Sequence, residues 1–263
     1  MIETQLLDNG ISVIYPNWDA PKNVKCFITT RIGGVSKDKY QGLNLGSHVN
    51  DDPNLVLKNR SLLLEHLPSE PKWLNQVHGN DVVQIKDFNA ALPDCDGAVT
   101  VLKKHTLCVL SADCLPIFFS NFSGDIVGVC HAGWKGLLSG VIENTLKSIS
   151  NIVSPDSNSR YFSTLNVYLG PSISMPHFEV GAELKDAFLS HSRDKLTIDS
   201  FESSANPNKY LCNLRQLAIA RLRDLNIERI WDSEICCYEN PSLLYSYRRE
   251  GLTGRFGSFI WID

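Results

Sequence analysis

The stretch CVLSADCLPIFFSNFSGDIVGVCHAGWKG, residues 108–136, decides how this chain reads. Two apolar runs of β type, Leu107 to Leu110 and Pro116 to Phe119, flank Ala112-Asp113-Cys114. A third, Ile126 to Cys130, leads straight into His131-Ala132-Gly133-Trp134-Lys135-Gly136. Side chains at strand ends are firmly held yet reachable, which is where chemistry is commonly placed. A cysteine and a histidine delivered this way, with a second histidine upstream in Asn75-Gln76-Val77-His78-Gly79, make a three-ligand metal site the hypothesis to test.

Moving upstream, Ile11 to Tyr15 and Val24 to Thr29 alternate as strands, and Asn9-Gly10 supplies a turn before the first. Thr29-Thr30-Arg31-Ile32-Gly33-Gly34-Val35-Ser36 opens into a glycine loop without the spacing of a phosphate-binding loop. Arg31 is there either a substrate contact or a surface charge. A helix is predicted from Asp51 or Asp52 with Pro53 through Leu62 and Leu63 to about Leu67. Gln76-Val77-His78 precedes an alternating strand, Val82 to Ile85. Asp94-Cys95-Asp96-Gly97, before Ala98 to Leu102, offers two carboxylates that a metal could use, but such turns are far more often structural.

Downstream, Leu138 to Ile149 fits a helix, and residues 151–164 form a polar surface loop. Val167 to Leu169 is a strand, Ala182 to about Leu189 a helix, and Ser192 through Asn208 a mostly polar connection. Asn213 caps an amphipathic helix, and the chain closes with strands Arg229 to Trp231 and Phe256 to Ile262. Strands dominate up to residue 130 and helices become frequent afterwards, without the strict alternation of a doubly wound sheet. That pattern predicts an α+β fold, with mixed β-sheets packed in layers and helices on the outer faces.

Composition narrows the function. The chain has 263 residues, 43% hydrophobic and 21% charged, with a formal net charge of -4. It therefore lacks the basic footprint of a nucleic-acid binder. No apolar run is long enough to span a bilayer, and Met1-Ile2-Glu3-Thr4 does not open a signal peptide. The eight cysteines contain no CxxC pair and fit reduced thiols better than a disulfide framework. A cytoplasmic protein acting on a small molecule is expected, with no membrane or nucleic-acid partner.

Zinc accepts imidazole nitrogen and thiolate sulfur, and catalytic zinc keeps three protein ligands and one open position. His78, Cys114 and His131 supply two nitrogens and one sulfur. Scattered histidines and cysteines are commonly core or surface residues. These three stand apart because each lies near the end of an apolar run with glycine or proline close by. Asp113 is either a proton carrier beside the site or a buried structural carboxylate. A metal-free reading uses the same residues, with Cys114 as nucleophile and His131 as its base in a hydrolase. The His-x-His pairs of multicopper oxidases are absent, although one copper is the alternative ion for the triplet.

The motifs TTRIGGVS (29–36), LNLGSHVNDDP (43–53), LNQVHG (74–79), DGAVT (96–100), ADCLPI (112–117), HAGWKG (131–136), LGPSI (169–173) and SYRR…GR (246–255) occur in one order. Together they resemble the YfiH-type family, also called the polyphenol oxidase or laccase-domain family, over nearly the whole chain, 1–263. The resemblance implies a single layered α+β domain with zinc at His78, Cys114 and His131. It also implies phosphorolysis of adenosine, inosine and methylthioadenosine, with adenosine deamination as a second activity. Weak copper-dependent phenol oxidation and peptidoglycan-precursor editing are attributed to the family as well. For deamination, water activated at the metal would attack the purine carbon bearing the amine. For phosphorolysis, Arg31, Lys135 and Arg249 are candidate phosphate contacts, and Asn44 and Gln76 candidate contacts to base or sugar. Cys237 stands where the family usually has threonine, and His177-Phe178 where cysteine and tyrosine are common.

Overall fold

In the computed structural model, which describes residues 2–153 and 162–263, two six-stranded sheets lie face to face. One runs in the order Gln5–Leu6, Ser12–Ile14, Val24–Thr29, Phe256–Ile262, Leu107–Ser111, Lys72–Trp73. The other runs Ile230–Asp232, Leu165–Leu169, Leu115–Asn121, Val127–Ala132, Gly97–Thr100, Val82–Gln84. Pairing is antiparallel except at three junctions near the sheet edges, where Lys72–Trp73, Val82–Gln84 and Ile230–Asp232 each run parallel to their neighbour. A small third sheet joins Glu179–Gly181, Lys209–Cys212 and Phe201–Ser203.

The layering follows from side chains alternating between the faces of each strand. In Leu115–Asn121, Phe118 points to the interior between the sheets, where it meets Val109, Val129, Phe256 and Ile260. Its neighbours Ile117 and Phe119 point the other way, onto Val141, Ile142, Leu146 and Ile149 of the helix Val141–Val153. The helices Ala182–His191 and Leu214–Asp224 cover the same outer face through Leu184, Phe188, Leu217 and Leu222. On the far side, Phe27, Phe259 and Trp261 pack with Leu63 of the helix Pro53–Leu64. Burial on both faces explains why the central strands are apolar throughout rather than alternating. The result is the α+β architecture of layered mixed sheets flanked by helices.

Phe118 is fully buried, with its ring centroid 6.4 Å from those of Trp18 and Tyr168. Phe118→Ala should therefore lower unfolding stability by about 3–5 kcal/mol, read as a leftward shift of the urea midpoint at unchanged slope.

Several boundaries differ from the sequence reading for identifiable reasons. The predicted helix from Leu138 is two helices, Trp134–Ser139 and Val141–Val153, because Gly140 adopts φ 96° and breaks the run. The polar stretch 192–208 contains the helix Lys195–Asp199 and the strand Phe201–Ser203. Asp194 caps that helix by accepting from Thr197 N–H, a local signal masked by the polar composition. Pro53 at the first turn and the Asp52 cap on Asn54 N–H start the Pro53–Leu64 helix as predicted, and it ends earlier than Leu67. Of the predicted loop 151–164, residues 154–161 lie outside the described residues. Among the described residues no helix is long and apolar enough to cross a membrane.

Candidate metal centre and cavity

Ser111 ends a strand of the first sheet and Leu115 begins a strand of the second, so Ala112-Asp113-Cys114 is the turn by which the chain passes between layers. Asp113 takes φ 99° to make that crossing. Cys114 is thereby held at the rim of the second sheet. His131 arrives on the neighbouring strand, where it stands opposite Pro116 and Ala132 stands opposite Leu115. His78 comes from the loop before Val82, with φ 60°.

The structure brings these three side chains together. Their ligand atoms lie within 4.8 Å of one another, and the two imidazole rings meet edge to face with centroids 4.8 Å apart. Glycine makes this possible. A Cβ on Gly133 would sit 2.9 Å from Cys114 Sγ and 3.3 Å from His78 Cδ2, and one on Gly136 would sit 2.6 Å from the Gly79 carbonyl.

Asp96 organises the cluster. Its carboxylate is fully buried and accepts hydrogen bonds from the backbone N–H groups of Val77 (3.1 Å), His78 (3.0 Å) and Gly79 (2.6 Å). It also lies 2.8 Å from His131 Nδ1. A carboxylate can only accept, so His131 donates from Nδ1, which leaves Nε2 facing the cluster as the nitrogen that would bind a metal. The same carboxylate thus aims one histidine and anchors the loop bearing the other. Burial would raise its pKa, yet the His131 bond and charge and the backbone donors together lower it.

The electrostatics of the pair are strongly coupled. Burial alone would raise the Cys114 thiol, but the charge and hydrogen bond of His131 and the contact with His78 bring it down to about 6. Burial would likewise lower His131, and the Cys114 thiolate with Asp96 raises it to about 9. The site favours a thiolate, the form in which cysteine binds metal or acts as a nucleophile.

The cluster opens onto a cavity of about 360 Å³. Leu110, Ile173, Phe178 and Tyr247 give it apolar walls, and His48, Arg248 and Arg255 bring polar groups. Asp113 lines it too. Its Oδ2 accepts from Arg248 N–H at 2.7 Å, while Oδ1 is buried without a hydrogen-bond partner. Burial raises the Asp113 pKa, and the Arg248 N–H bond partly opposes the shift.

The other candidate residues fall into different places. Gln76 lines the cavity, but both ends of its amide are engaged by the Leu110 backbone at 2.9 and 2.8 Å. Asn44, Arg31, Arg249 and Lys135 do not line it. Asn44 is buried, accepting from Arg255 N–H and donating to Asp51. Arg31 pairs with Glu250 at 2.9 Å and lies over the Tyr245 ring. Arg249 donates to the Cys237, Tyr238 and Leu244 carbonyls and pairs with the same Glu250. Lys135 is exposed beside Trp134.

The arginines facing the cavity are instead Arg248 and Arg255, neither of which has a carboxylate partner among the described residues. Arg255 Nη1 is held by the Thr253 and Gly254 carbonyls. Arg248 Nη1 is held by the His177 and Glu179 carbonyls. These two, with His48 and Tyr247, were not singled out from the sequence. The family-like motifs SYRR…GR (246–255) and LNLGSHVNDDP (43–53) contain them without saying which of their residues face the cavity.

The donor set tests well against a metal. One thiolate and two imidazoles converge, His131 has its outer nitrogen fixed by Asp96, and an open cavity occupies the remaining side.

Comparison with known proteins places the chain. The model of the family described as multi-copper polyphenol oxidoreductase laccase matches residues 25–263. Purine nucleoside phosphorylase YfiH of Escherichia coli (strain K12) is 38% identical over 255 residues, 95% of this chain and 98% of the relative. Purine nucleoside phosphorylase PA4543 of Pseudomonas aeruginosa is 39% identical over 248 residues, covering 94% and 97%. The crystal structure of Neisseria meningitidis protein NMB0706 superposes with a TM-score of 0.86 at 37% identity, over 95% of this chain and 99% of that one. With the family model matched from the third strand to the last residue and both relatives aligned almost end to end, the chain belongs to the YfiH-type, laccase-domain family.

Proposed function

We propose that the protein is a zinc-dependent purine nucleoside enzyme whose main reaction is phosphorolysis of adenosine, inosine or methylthioadenosine, with adenosine deamination as a second activity. The observation that carries this reading is one cavity holding three convergent metal donors and two arginines that form no ion pair among the described residues. The names of the relatives supply the substrate class. Zinc held by His78, Cys114 and His131 would supply a Lewis acid at the cavity floor.

The chain's own groups do the rest. Arg248 and Arg255, neither of which forms an ion pair with a carboxylate among the described residues, would bind phosphate. The purine and ribose fill the apolar space between Phe178, Ile173 and Tyr247. In phosphorolysis a phosphate oxygen bonds to the anomeric carbon, the bond from that carbon to the purine nitrogen breaks, and the base takes a proton. Asp113, whose Oδ1 is buried without a hydrogen-bond partner, would carry that proton.

Incubation with inosine and phosphate should yield hypoxanthine and ribose 1-phosphate in equal amounts, and formation of neither sinks the phosphorylase reading. Arg255→Met should raise the KM for phosphate roughly tenfold or more, the equivalent of one charge-assisted hydrogen bond, with the KM for inosine little changed. A metal-free hydrolase built on the Cys114–His131 pair is the second reading, favoured by the lowered Cys114 thiol. It predicts activity indifferent to chelators. Copper in place of zinc predicts phenol oxidation that tracks copper content.

A further inference from the structure

A second cluster of ligand-type side chains lies beside the loop that walls the cavity. Residues 170–178 contribute Ile173 and Phe178 to that wall. His177, next to Phe178, faces Cys236 and Glu239 on the segment 235–240. One donor atom from each of His177, Cys236 and Glu239 lies within 4.8 Å of the other two. His177 Nε2 is 2.9 Å from Glu239 Oε1. An ion pair explains that single contact, but not the sulfur that completes the triangle.

Two of the three ligands, Cys236 and His177, are oriented by outer partners. Ser174 donates both its backbone N–H (3.3 Å) and its hydroxyl (2.9 Å) to Cys236 Sγ. The His177 ring stacks on Tyr238 with centroids 4.2 Å apart and planes 11° from parallel. The two segments are stitched by Ser172 N–H to the Ile235 carbonyl and Cys237 N–H to the Ser172 carbonyl. Metal ligands are commonly fixed in this way by surrounding hydrogen bonds. Cys236 is nearly fully buried, whereas His177 and Glu239 are 27% and 53% exposed, so an ion would enter from solvent.

We propose that His177, Cys236 and Glu239 form a second metal site, distinct from the cavity cluster, for a borderline-soft divalent cation such as zinc. One sulfur, one imidazole nitrogen and one carboxylate oxygen suit zinc and exclude calcium and magnesium, which take oxygen. The ion clamps segment 170–178 to segment 235–240. Phe178 and Arg248, whose guanidinium donates to the His177 carbonyl, both line the cavity, so the clamp fixes part of its wall. The proposal does not depend on what the cavity catalyses.

The test is a cobalt(II) titration of the full-length Cys114→Ala protein, which lacks the cavity thiolate. The near-ultraviolet thiolate-to-cobalt charge-transfer band should appear and saturate at one equivalent. It should disappear in Cys114→Ala/His177→Gln, and Glu239→Gln should weaken binding by roughly tenfold or more. His177 and Glu239 are partly exposed, so both variants should fold, which circular dichroism checks. No band in Cys114→Ala, or an unchanged band when His177→Gln is added, overturns the second site.

Discussion

On the reading proposed above, Cys114→Ala will remove one metal ion per chain and slow phosphorolysis of inosine about a thousandfold, while the protein stays folded. The size follows from losing a Lewis acid worth several kcal/mol at about 1.36 kcal/mol per decade of rate. Folding survives because the thiol lies at a turn between sheets, outside the packed layers around Phe118 and Phe119. Stability does not hinge on the ion in a chain with so extensive an apolar interior. The measurement pairs elemental analysis and product chromatography with circular dichroism. A variant that unfolds would instead make the metal structural. A variant that loses the ion but keeps its activity would remove the metal from the reaction.

Asp96→Asn should weaken zinc binding at the cavity cluster by about 10–100-fold and destabilise the fold by roughly 3–5 kcal/mol. The carboxylate accepts from three backbone donors and from His131, and it has no direct access to solvent. A carboxamide replaces one acceptor oxygen with an NH₂ group. That group must face either the Val77 and Gly79 N–H groups or the His131 Nδ1–H, leaving buried donors opposed to donors. The variant also removes the charge that fixes the His131 tautomer. Chelator competition gives the affinity and urea unfolding the stability. Because Asp96 acts through the ligands, saturating zinc should restore much of the lost kcat. Unaltered affinity and midpoint would show that Asp96 does not organise the cluster.

The triplet could be read in the sequence because its members mark ends of apolar runs, where a strand stops and a side chain is exposed to a cleft. The β-rich first half and the outer helices were legible for the same reason, through short apolar runs and Asn213 or Asp52 caps. Asp96 was read as a turn residue in preference to a metal carboxylate, since Asp-Cys-Asp-Gly is a sufficient local explanation for its presence. Its real partners are a loop and a strand that come together only when the second sheet forms. The arginines illustrate the same limit. Arg248 and Arg249 are adjacent, yet the four-residue helix Tyr247–Glu250 turns one toward the cavity and the other into three carbonyls. Arg31 looked suited to an anion because of its glycine loop, and Glu250, distant in sequence, neutralises it. Charge alone identifies candidates, and tertiary pairing decides which remain free.

The most direct test of the central claim is an anomalous-difference map at the zinc edge from crystals grown with zinc. A peak is expected about 2.3 Å from Cys114 Sγ and about 2.0–2.1 Å from a ring nitrogen of both His78 and His131. Zinc-saturated crystals with no density among those three side chains would contradict the account.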